Sequence, residues 1–251
     1  MSYCLAVSVN EGLIFCSDSR TTQGVDRIST YSKMFRFGRD GQRQFVILAA
    51  GNLSTAQATM SRVKLDIRDQ AAINLMNVAT VQQAADYLGD LSLNEQCRHG
   101  ERDGRQCTFI IGGQIAGSEH EVALVYAEGN HITTSTDTLF LQIGESKYGK
   151  PILDRILQPE TTLETCALCS LVSMDSTMRS NLTVGPPVEV LVYRTNSLVL
   201  DGYQKLEADS AFLREIGRAW DERLKAAFHL MPSLNWIEPD QSLPIDKSIT
   251  R

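Results

Sequence analysis

Three residues near the start of the chain could together perform nucleophilic chemistry. Ser2 follows the initiator methionine, Asp18 closes the apolar stretch GLIFCSD, and Lys33 lies in the half-apolar segment STYSKMFRF. An initiator methionine before so small a residue is usually removed, which would leave Ser2 with a hydroxyl and a free α-amine. A neutral α-amine, whose ordinary pKa is about 7.7–8, can accept the hydroxyl proton. One residue would then supply both nucleophile and base.

A carboxylate beside this amine needs a counter-charge, and Asp18 and Lys33 are suited to form that pair. The stretches YCLAVSV and GLIFCSDS flank NEG, which predicts a β-hairpin. In the register that sets Cys4 opposite Asp18, Asp18 becomes a diagonal neighbour of Ser2 on one face of the sheet. A shift of one residue would move Asp18 to the other face. We expect Lys33 to orient Asp18 and to lower the pKa of the amine.

The stretch ILAAGNL is a candidate for stabilising an oxyanion. It reads as an apolar strand that ends at Gly51, just before a helix cap. A backbone N–H beside the nucleophile is the donor such chemistry needs, and glycine lets a substrate approach the main chain closely. We therefore expect Gly51 to supply that N–H and Ala49 to leave a shallow hollow for a substrate side chain.

The remaining elements must position these residues. Apolar residues spaced at three and four predict helices at about 54–76, 81–92, 162–178 and 210–229, and clustered short strands fill the intervals. Such clustering does not fit a doubly wound parallel sheet. We predict an α+β fold, a four-layer αββα sandwich of two antiparallel sheets covered by helices. It would form one domain over 1–251, whose C-terminal helix and tail, about 210–251, are candidates for use in assembly.

Composition narrows the function classes. The net charge of -6 argues against a nucleic-acid binder. No basic run precedes an apolar stretch, as in a signal peptide, and no apolar run approaches the length of a membrane span. The expected compartment is the cytoplasm. The six cysteines are expected to be buried thiols, and the C-x-x-C of Cys166 and Cys169 lacks the second ligand pair of a zinc site. We therefore expect no metal and no cofactor.

These features, in this order, resemble the proteasome-type N-terminal nucleophile hydrolases, and within them the bacterial Anbu (ancestral beta-subunit) family. The resemblance covers roughly residues 2–205, and the matching segments are MSYCLAVSV, FCSDSRTTQGVDRISTYSKMF, AAGNLSTAQ, GESKYGKPILDR and SMDSTMRSNLTVGPPVEVLVYR. It implies a ring-like or helical homo-oligomer whose active sites face an inner space. It also implies Ser2 as nucleophile, Asp18 and Lys33 as the charge pair, Gly51 as oxyanion donor, and Thr22 and Ala49 as lining of the substrate cleft.

The chain departs from the proteasome pattern at three points. Where the family has a serine between two glycines that helps hold the amine, this chain has IGESKYG, so either Glu145 or Ser146 would take that role. Asp175 is followed by STMRSN instead of a serine three residues later; Asp175 would still face Ser2. The nucleophile is serine and not the commoner threonine, so it lacks the methyl group that fixes the rotamer.

Three functions remain open. The first is a peptidase that cleaves peptide bonds inside an oligomer, for which an unfoldase partner is implied by resemblance alone. The second is an amidase that acts on a small or cross-linked peptide substrate. The third is a non-catalytic ring subunit. Non-catalytic subunits usually carry an N-terminal extension and lack the Lys–Asp pair, so the pair found here counts against the third.

Overall fold

The computed structural model describes residues 2–23, 27–98 and 104–234. Within these ranges the chain forms twelve strands and five helices. The strands are β1 (Tyr3–Val9), β2 (Gly12–Asp18), β3 (Arg20–Gln23), β4 (Arg27–Thr30), β5 (Met34–Arg39), β6 (Arg43–Gly51), β7 (Cys107–Ile115), β8 (Glu121–Val125), β9 (His131–Thr133), β10 (Phe140–Gly144), β11 (Val188–Arg194) and β12 (Gly202–Leu206). The helices are α1 (Leu53–Arg68), α2 (Val81–Cys97), α3 (Lys150–Ile156), α4 (Leu163–Ser180) and α5 (Ala211–His229).

Two antiparallel five-stranded sheets form the centre of the fold. The first sheet has the order β10-β1-β2-β11-β12 and the second the order β5-β6-β7-β8-β9, while β3 and β4 pair as a separate ribbon. The second sheet follows the order of the chain, whereas the first sheet combines strands from distant parts of the chain, and β1 lies inside it between β10 and β2. This position fixes the start of the described chain from both sides.

Apolar side chains fill the space on both sides of the second sheet. In β6, Val46 and Leu48 pack towards the first sheet, whereas Phe45 and Ile47 pack towards α1 and α2. Because successive residues of a strand project to opposite faces, a strand buried on both faces must be apolar throughout. This requirement explains why RQFVILAAG shows no polar alternation.

Helices cover the outer face of each sheet. α1 and α2 pack on the second sheet, and α4 packs on the first sheet with α3 beside it. The Tyr3 hydroxyl and Ser173 Oγ of α4 form a buried hydrogen bond of 2.7 Å. The predicted α+β fold, a four-layer αββα sandwich, is confirmed.

The predicted register of the first hairpin is wrong by one residue. Cys4 pairs with Ser17 and not with Asp18. Asp18 therefore does not share the sheet face on which Cys4 and Ser2 project. It reaches the chain end by a different route, through the backbone N–H of Tyr3.

The turn of this hairpin explains the difference. Only Asn10 and Glu11 form it, and Gly12 already belongs to β2. Gly12 has φ +147°, and a Cβ there would lie 2.0 Å from the carbonyl oxygen of Tyr193 in β11. Only glycine can let the strands approach so closely at this point, so the loop has two residues and not three.

Two helices differ from their predicted bounds. Helix α2 ends at Cys97 instead of about 92. Helix α1 ends at Arg68 instead of about 76, because Gln70 adopts a positive φ of 51° and turns the chain away. The segment RIST forms β4, which pairs with β3 in the separate ribbon. Helix α3 has seven residues, too few for an apolar period to be recognised in the sequence.

Contacts between Cα atoms divide the chain into two units, Met1–Gly217 and Arg218–Arg251. The first holds both sheets, α1 to α4 and the first residues of α5; the second holds the rest of α5 and the residues that follow it. Of the predicted assembly tail, residues 235–251 lie outside the described part, and the single domain over 1–251 stays a prediction. None of the helices within the described ranges has the length and apolar character that a bilayer crossing requires.

Candidate active site

Ser2 is held by its carbonyl group directly before the start of β1. The backbone N–H of Glu145 donates to the Ser2 carbonyl oxygen at 2.7 Å. Gly144, with φ +82°, makes this approach possible, since a Cβ there would lie 2.1 Å from the same oxygen. The turn after β10 thus fixes the backbone from which the Ser2 side chain projects.

A buried ion pair lies next to this backbone. Lys33 Nζ donates to Asp18 Oδ1 at 2.6 Å, and the two side chains are 7% and 0% exposed. Asp18 Oδ1 also accepts the N–H of Tyr3 at 3.0 Å, and Oδ2 accepts the N–H of Gly185 at 3.2 Å. Burial raises the pKa of the Asp18 carboxyl, and the Lys33 ammonium and the two N–H groups oppose that rise.

Lys33 reaches Asp18 because its backbone bridges the two sheets. Its carbonyl oxygen accepts the N–H of Ala49 in the second sheet, at 3.0 Å. Its Nζ turns back to Asp18 in the first sheet, and it also donates to the carbonyl oxygen of Arg20 in β3, at 2.7 Å. The ammonium therefore has two oxygen partners and one fixed position.

A small cleft brings four of the expected residues together. Its volume is about 40 Å³, and its lining includes Ser2, Thr21, Lys33, Ala49, Gly51 and Leu53. Thr21 lines this cleft and Thr22 does not; Thr22 pairs with Ile28 in the β3–β4 ribbon. Gly51 has φ +118°, and a Cβ there would lie 2.5 Å from the Gln106 carbonyl oxygen.

A thiol lies beneath this cleft. Cys4 Sγ is 3.7 Å from the Ala49 carbonyl oxygen, and its side chain is buried in the core between the sheets. Burial raises the pKa of the Cys4 thiol well above its ordinary value. Cys4 therefore stays protonated and packs as an apolar residue.

Comparison with known proteins gives the family. No protein-family model matches the chain, and no curated protein matches it either. Among solved structures, Anbu (ancestral beta-subunit) from Yersinia bercovieri is 41% identical with a TM-score of 0.89, over 92% of this chain and 99% of that chain. The chain belongs to the Anbu family.

Two further Anbu structures agree with this assignment. A helical assembly of the Anbu complex from Pseudomonas aeruginosa is 40% identical with a TM-score of 0.88, over 96% of this chain and 100% of that chain. An Anbu (Gly-1) mutant from Hyphomicrobium sp. strain MC1 is 35% identical with a TM-score of 0.89, over 94% and 100% of the two chains.

Two residues expected from the Anbu resemblance lie directly after β10. Glu145 is buried, and its carboxylate accepts the Lys147 N–H at 3.2 Å and the Asn181 side-chain amide at 3.1 Å. Ser146 is half-buried beside it. The backbone of Glu145, through its bond to the Ser2 carbonyl, contacts the chain end, while its carboxylate is engaged elsewhere.

The structure does not bring Asp175 to the cleft. Its carboxylate pairs with Arg179 one helical turn later, at 3.1 Å, and lies against Gly217. Ser173, two residues earlier on α4, points at Tyr3 behind the nucleophile. Since two residues of an α-helix are about 200° apart around its axis, Asp175 projects from nearly the opposite side. Ser180 ends α4 and is exposed.

One buried acid beside the site was missed in the sequence. Glu189 of β11 is 3% exposed and accepts hydrogen bonds from the hydroxyls of Ser19, Ser32 and Tyr203. A signal was present, because Glu189 is the single charged residue among the apolar residues of VEVLVY. A charge in such a strand is expensive to bury unless polar groups surround it.

The described residues contain no group of three or more histidine, cysteine, aspartate or glutamate side chains able to hold a metal ion. The thiols of Cys166 and Cys169 lie 3.8 and 3.9 Å from the carbonyl oxygens of Thr161 and Ile152. Burial raises their pKa values to about 11 and about 12. Cys97 is exposed, whereas the other five cysteines are buried as predicted.

Proposed function

We propose that this Anbu chain is an N-terminal serine hydrolase that cleaves peptide or amide bonds inside a homo-oligomeric assembly. The observation that carries the proposal is the buried Asp18–Lys33 pair beside Ser2, at the mouth of a cleft that contains Gly51. Burying an ion pair costs free energy that packing alone would not require. Its position next to a hydroxyl and a chain end is best explained by a need to control charge there.

The chemistry would begin with removal of Met1, which itself lies outside the described residues. The freed Ser2 amine accepts the hydroxyl proton, and Ser2 Oγ attacks the substrate carbonyl carbon. The Gly51 N–H donates to the oxyanion of the tetrahedral intermediate. The amine then gives its proton to the leaving nitrogen as the C–N bond breaks. Water, deprotonated by the same amine, hydrolyses the resulting ester and frees Ser2.

The fixed ion pair has a defined part in this sequence. The Lys33 ammonium favours the neutral form of a nearby amine, so more of the base is available at neutral pH. Asp18, by accepting the N–H of Tyr3, holds the residue that follows the nucleophile. Ala49 and Thr21 are the candidates for contacting the substrate, and Thr22 in the adjoining ribbon stays a candidate through resemblance alone.

Assembly is proposed from the relatives. The Pseudomonas aeruginosa relative is described as a helical assembly of the Anbu complex, and we infer that this chain also associates with copies of itself. Active sites that face an inner space would then restrict access to unfolded or short substrates. An unfoldase partner that supplies such substrates is proposed by resemblance alone.

Covalent labelling tests the activity. Intact mass of protein from cells should correspond to a chain that starts at Ser2. A β-lactone or an epoxyketone should then form one adduct, which peptide mapping assigns to Ser2, and Ser2→Ala should form none. An adduct that persists in Ser2→Ala, or a chain that retains Met1, would contradict the hydrolase and favour a non-catalytic ring subunit.

The cleft also favours a second candidate, an amidase for small or cross-linked peptides. Its volume of about 40 Å³ is far below the roughly 300–1,000 Å³ of typical ligand pockets. Such a cleft suits substrates with a small group next to the scissile bond. Turnover of short amides with alanine or glycine at that position, together with no turnover of unfolded proteins, would favour the amidase.

A further inference from the structure

Glu189 is a buried carboxylate whose partners are three hydroxyl groups. Ser19 Oγ donates to Oε1 at 2.8 Å, and Ser32 Oγ and the Tyr203 hydroxyl donate to Oε2 at 3.0 and 2.8 Å. Glu189 lies on the same face of β11 as Leu191, which packs in the core between the two sheets. Hydrogen bonds from neutral donors to an ionised acceptor are strong, and three of them compensate much of the cost of burial.

Two of these donors are sequence neighbours of the catalytic pair. Ser19 directly follows Asp18, and Ser32 directly precedes Lys33. The backbone links the same two segments, because the Tyr31 N–H donates to the Ser19 carbonyl oxygen at 2.9 Å. The Glu189 carboxylate therefore bridges the two segments that carry the ion pair, on the side away from their own contact.

The buried charges of Asp18, Glu189 and Lys33 do not sum to zero. Asp18, Glu189 and Lys33 are all buried, so two carboxylates share one ammonium. Two further cations near Glu189 contact other groups. The Arg36 guanidinium lies 4.0 Å from the centre of the Tyr203 ring, and Lys205 pairs with Glu207 at the surface.

Two other charged groups lie on the elements around Ser2. The Glu145 carboxylate accepts hydrogen bonds from the backbone N–H of Lys147 and the side-chain amide of Asn181, and Arg20 donates to the Leu182 carbonyl oxygen at 2.7 Å. Neither contributes a cation to the buried cluster itself. A protonated amine at Ser2 would supply the missing positive charge.

We propose that Glu189 is a positioning residue for the Ser2 nucleophile. The hydrogen bonds that it accepts from Ser19 and Ser32 hold Asp18 and Lys33 at the chain end. Its negative charge opposes the effect of the Lys33 ammonium on the Ser2 amine, so that the amine keeps its proton to higher pH. The inference rests on the hydrolase proposed above. It assigns to Glu189 no contact with substrate, and its effects pass through Asp18, Lys33 and the field at the amine.

The test is the rate of β-lactone labelling at Ser2 as a function of pH, in the wild type and in Glu189→Gln. A neutral amide of the same shape keeps part of the hydrogen bonding and removes the charge. The acid-side midpoint should fall by about half to one pH unit, the size expected when one nearby buried charge is removed. Glu207→Gln removes an exposed carboxylate whose charge solvent screens, and its midpoint should equal that of the wild type.

Ser32→Ala tests the hydrogen bond between Ser32 and Glu189 independently of the Glu189 charge. It removes one donor and leaves the Glu189 side chain in place, so labelling should slow by about threefold to tenfold at every pH, with an unchanged midpoint. Ser135→Ala, in an exposed turn, is the matched serine control. Thermal unfolding verifies that each variant is folded, and if Glu189→Gln does not fold, Ser32→Ala decides alone.

The outcomes separate this inference from the hydrolase itself. Labelling of the wild type with no midpoint shift in Glu189→Gln, or with a wild-type rate in Ser32→Ala, overturns the role of Glu189 and leaves the hydrolase standing. No labelling of the wild type at Ser2 overturns both. A midpoint shift together with slower labelling of Ser32→Ala supports the proposal.

Discussion

Replacing Lys33 by methionine removes the ammonium from the buried pair and keeps most of the volume of the side chain. The change leaves the Asp18 carboxylate, 0% exposed, with the N–H groups of Tyr3 and Gly185 as its remaining partners. Two backbone hydrogen bonds do not neutralise a buried charge. We therefore expect both a loss of stability and the loss of Ser2 labelling.

The magnitude follows from the geometry of the pair. At an Nζ–Oδ1 distance of 2.6 Å and an effective dielectric constant of about 20, the Coulomb attraction is about 6 kcal/mol. The variant also avoids the cost of burying the ammonium, which cancels part of this loss. Removal of one partner from a buried pair typically lowers the free energy of unfolding by about 3–5 kcal/mol, and we expect a value in that range at pH 7.

Urea unfolding at pH 7 and pH 5 measures this deficit. Without Lys33 the pKa of the Asp18 carboxyl rises further, because burial acts unopposed by the ammonium. An acid whose pKa is raised by folding takes up a proton more readily in the folded state, so the penalty grows as pH rises and shrinks as pH falls. The deficit should therefore be smaller at pH 5 than at pH 7.

Lys150→Met is the matched control. Lys150 and Asp154 pair at a similar distance, 2.7 Å, but their side chains are 53% and 47% exposed. Exposed pairs of this kind contribute about 0.5 kcal/mol or less. A Lys33→Met deficit as small as that of the control, or one that is equal at the two pH values, would refute the buried ion pair as described here.

Two further predictions concern backbone approach and pH. Gly144→Ala should lower the free energy of unfolding by about 2 kcal/mol or more and reduce Ser2 labelling, because the new Cβ would lie 2.1 Å from the Ser2 carbonyl oxygen. Gly117→Ala is the control: this glycine has φ +83° and open space around it, so the variant should show only the conformational cost of about 1 kcal/mol. Burial lowers the pKa of His120 below its ordinary 6.5, so its stability contribution is present above that pH and is lost as pH falls through the lowered value. The fall in Tm between about pH 7 and 5 should accordingly be shallower in His120→Gln, and an unchanged slope would contradict this role.

The register of the first hairpin shows where the sequence was insufficient. An alternation of apolar and polar residues fixes the register of a strand that is buried on one face. Tyr3–Val9 and Gly12–Asp18 are buried on both faces, with a single half-buried residue, Ser8. The pattern of apolar residues therefore does not show which residues of the two strands share a face. The conformation of Gly12 decides whether the loop has two or three residues.

Local patterns were sufficient where a single segment determined the outcome. The ends of α4 and α5 lie close to their predicted bounds because one apolar period covers each helix, whereas α2 begins as predicted but continues to Cys97. The pairing of Lys33 with Asp18 was predictable because a lysine in a half-apolar segment and a carboxylate near the chain end each need a counter-charge. Glu189 was missed because its donors come from three distant segments, which only the folded sheet brings together.

The buried thiols have a practical consequence for anyone probing this protein with electrophiles. Such reagents usually attack cysteine first, because thiolates are better nucleophiles than alcohols. Here Cys4, directly below the cleft, is kept protonated and inaccessible, and Cys97 is the one exposed thiol within the described ranges. Pre-treatment with a mild alkylating agent would silence Cys97 and leave an oxygen-directed reagent to report on the serine alone.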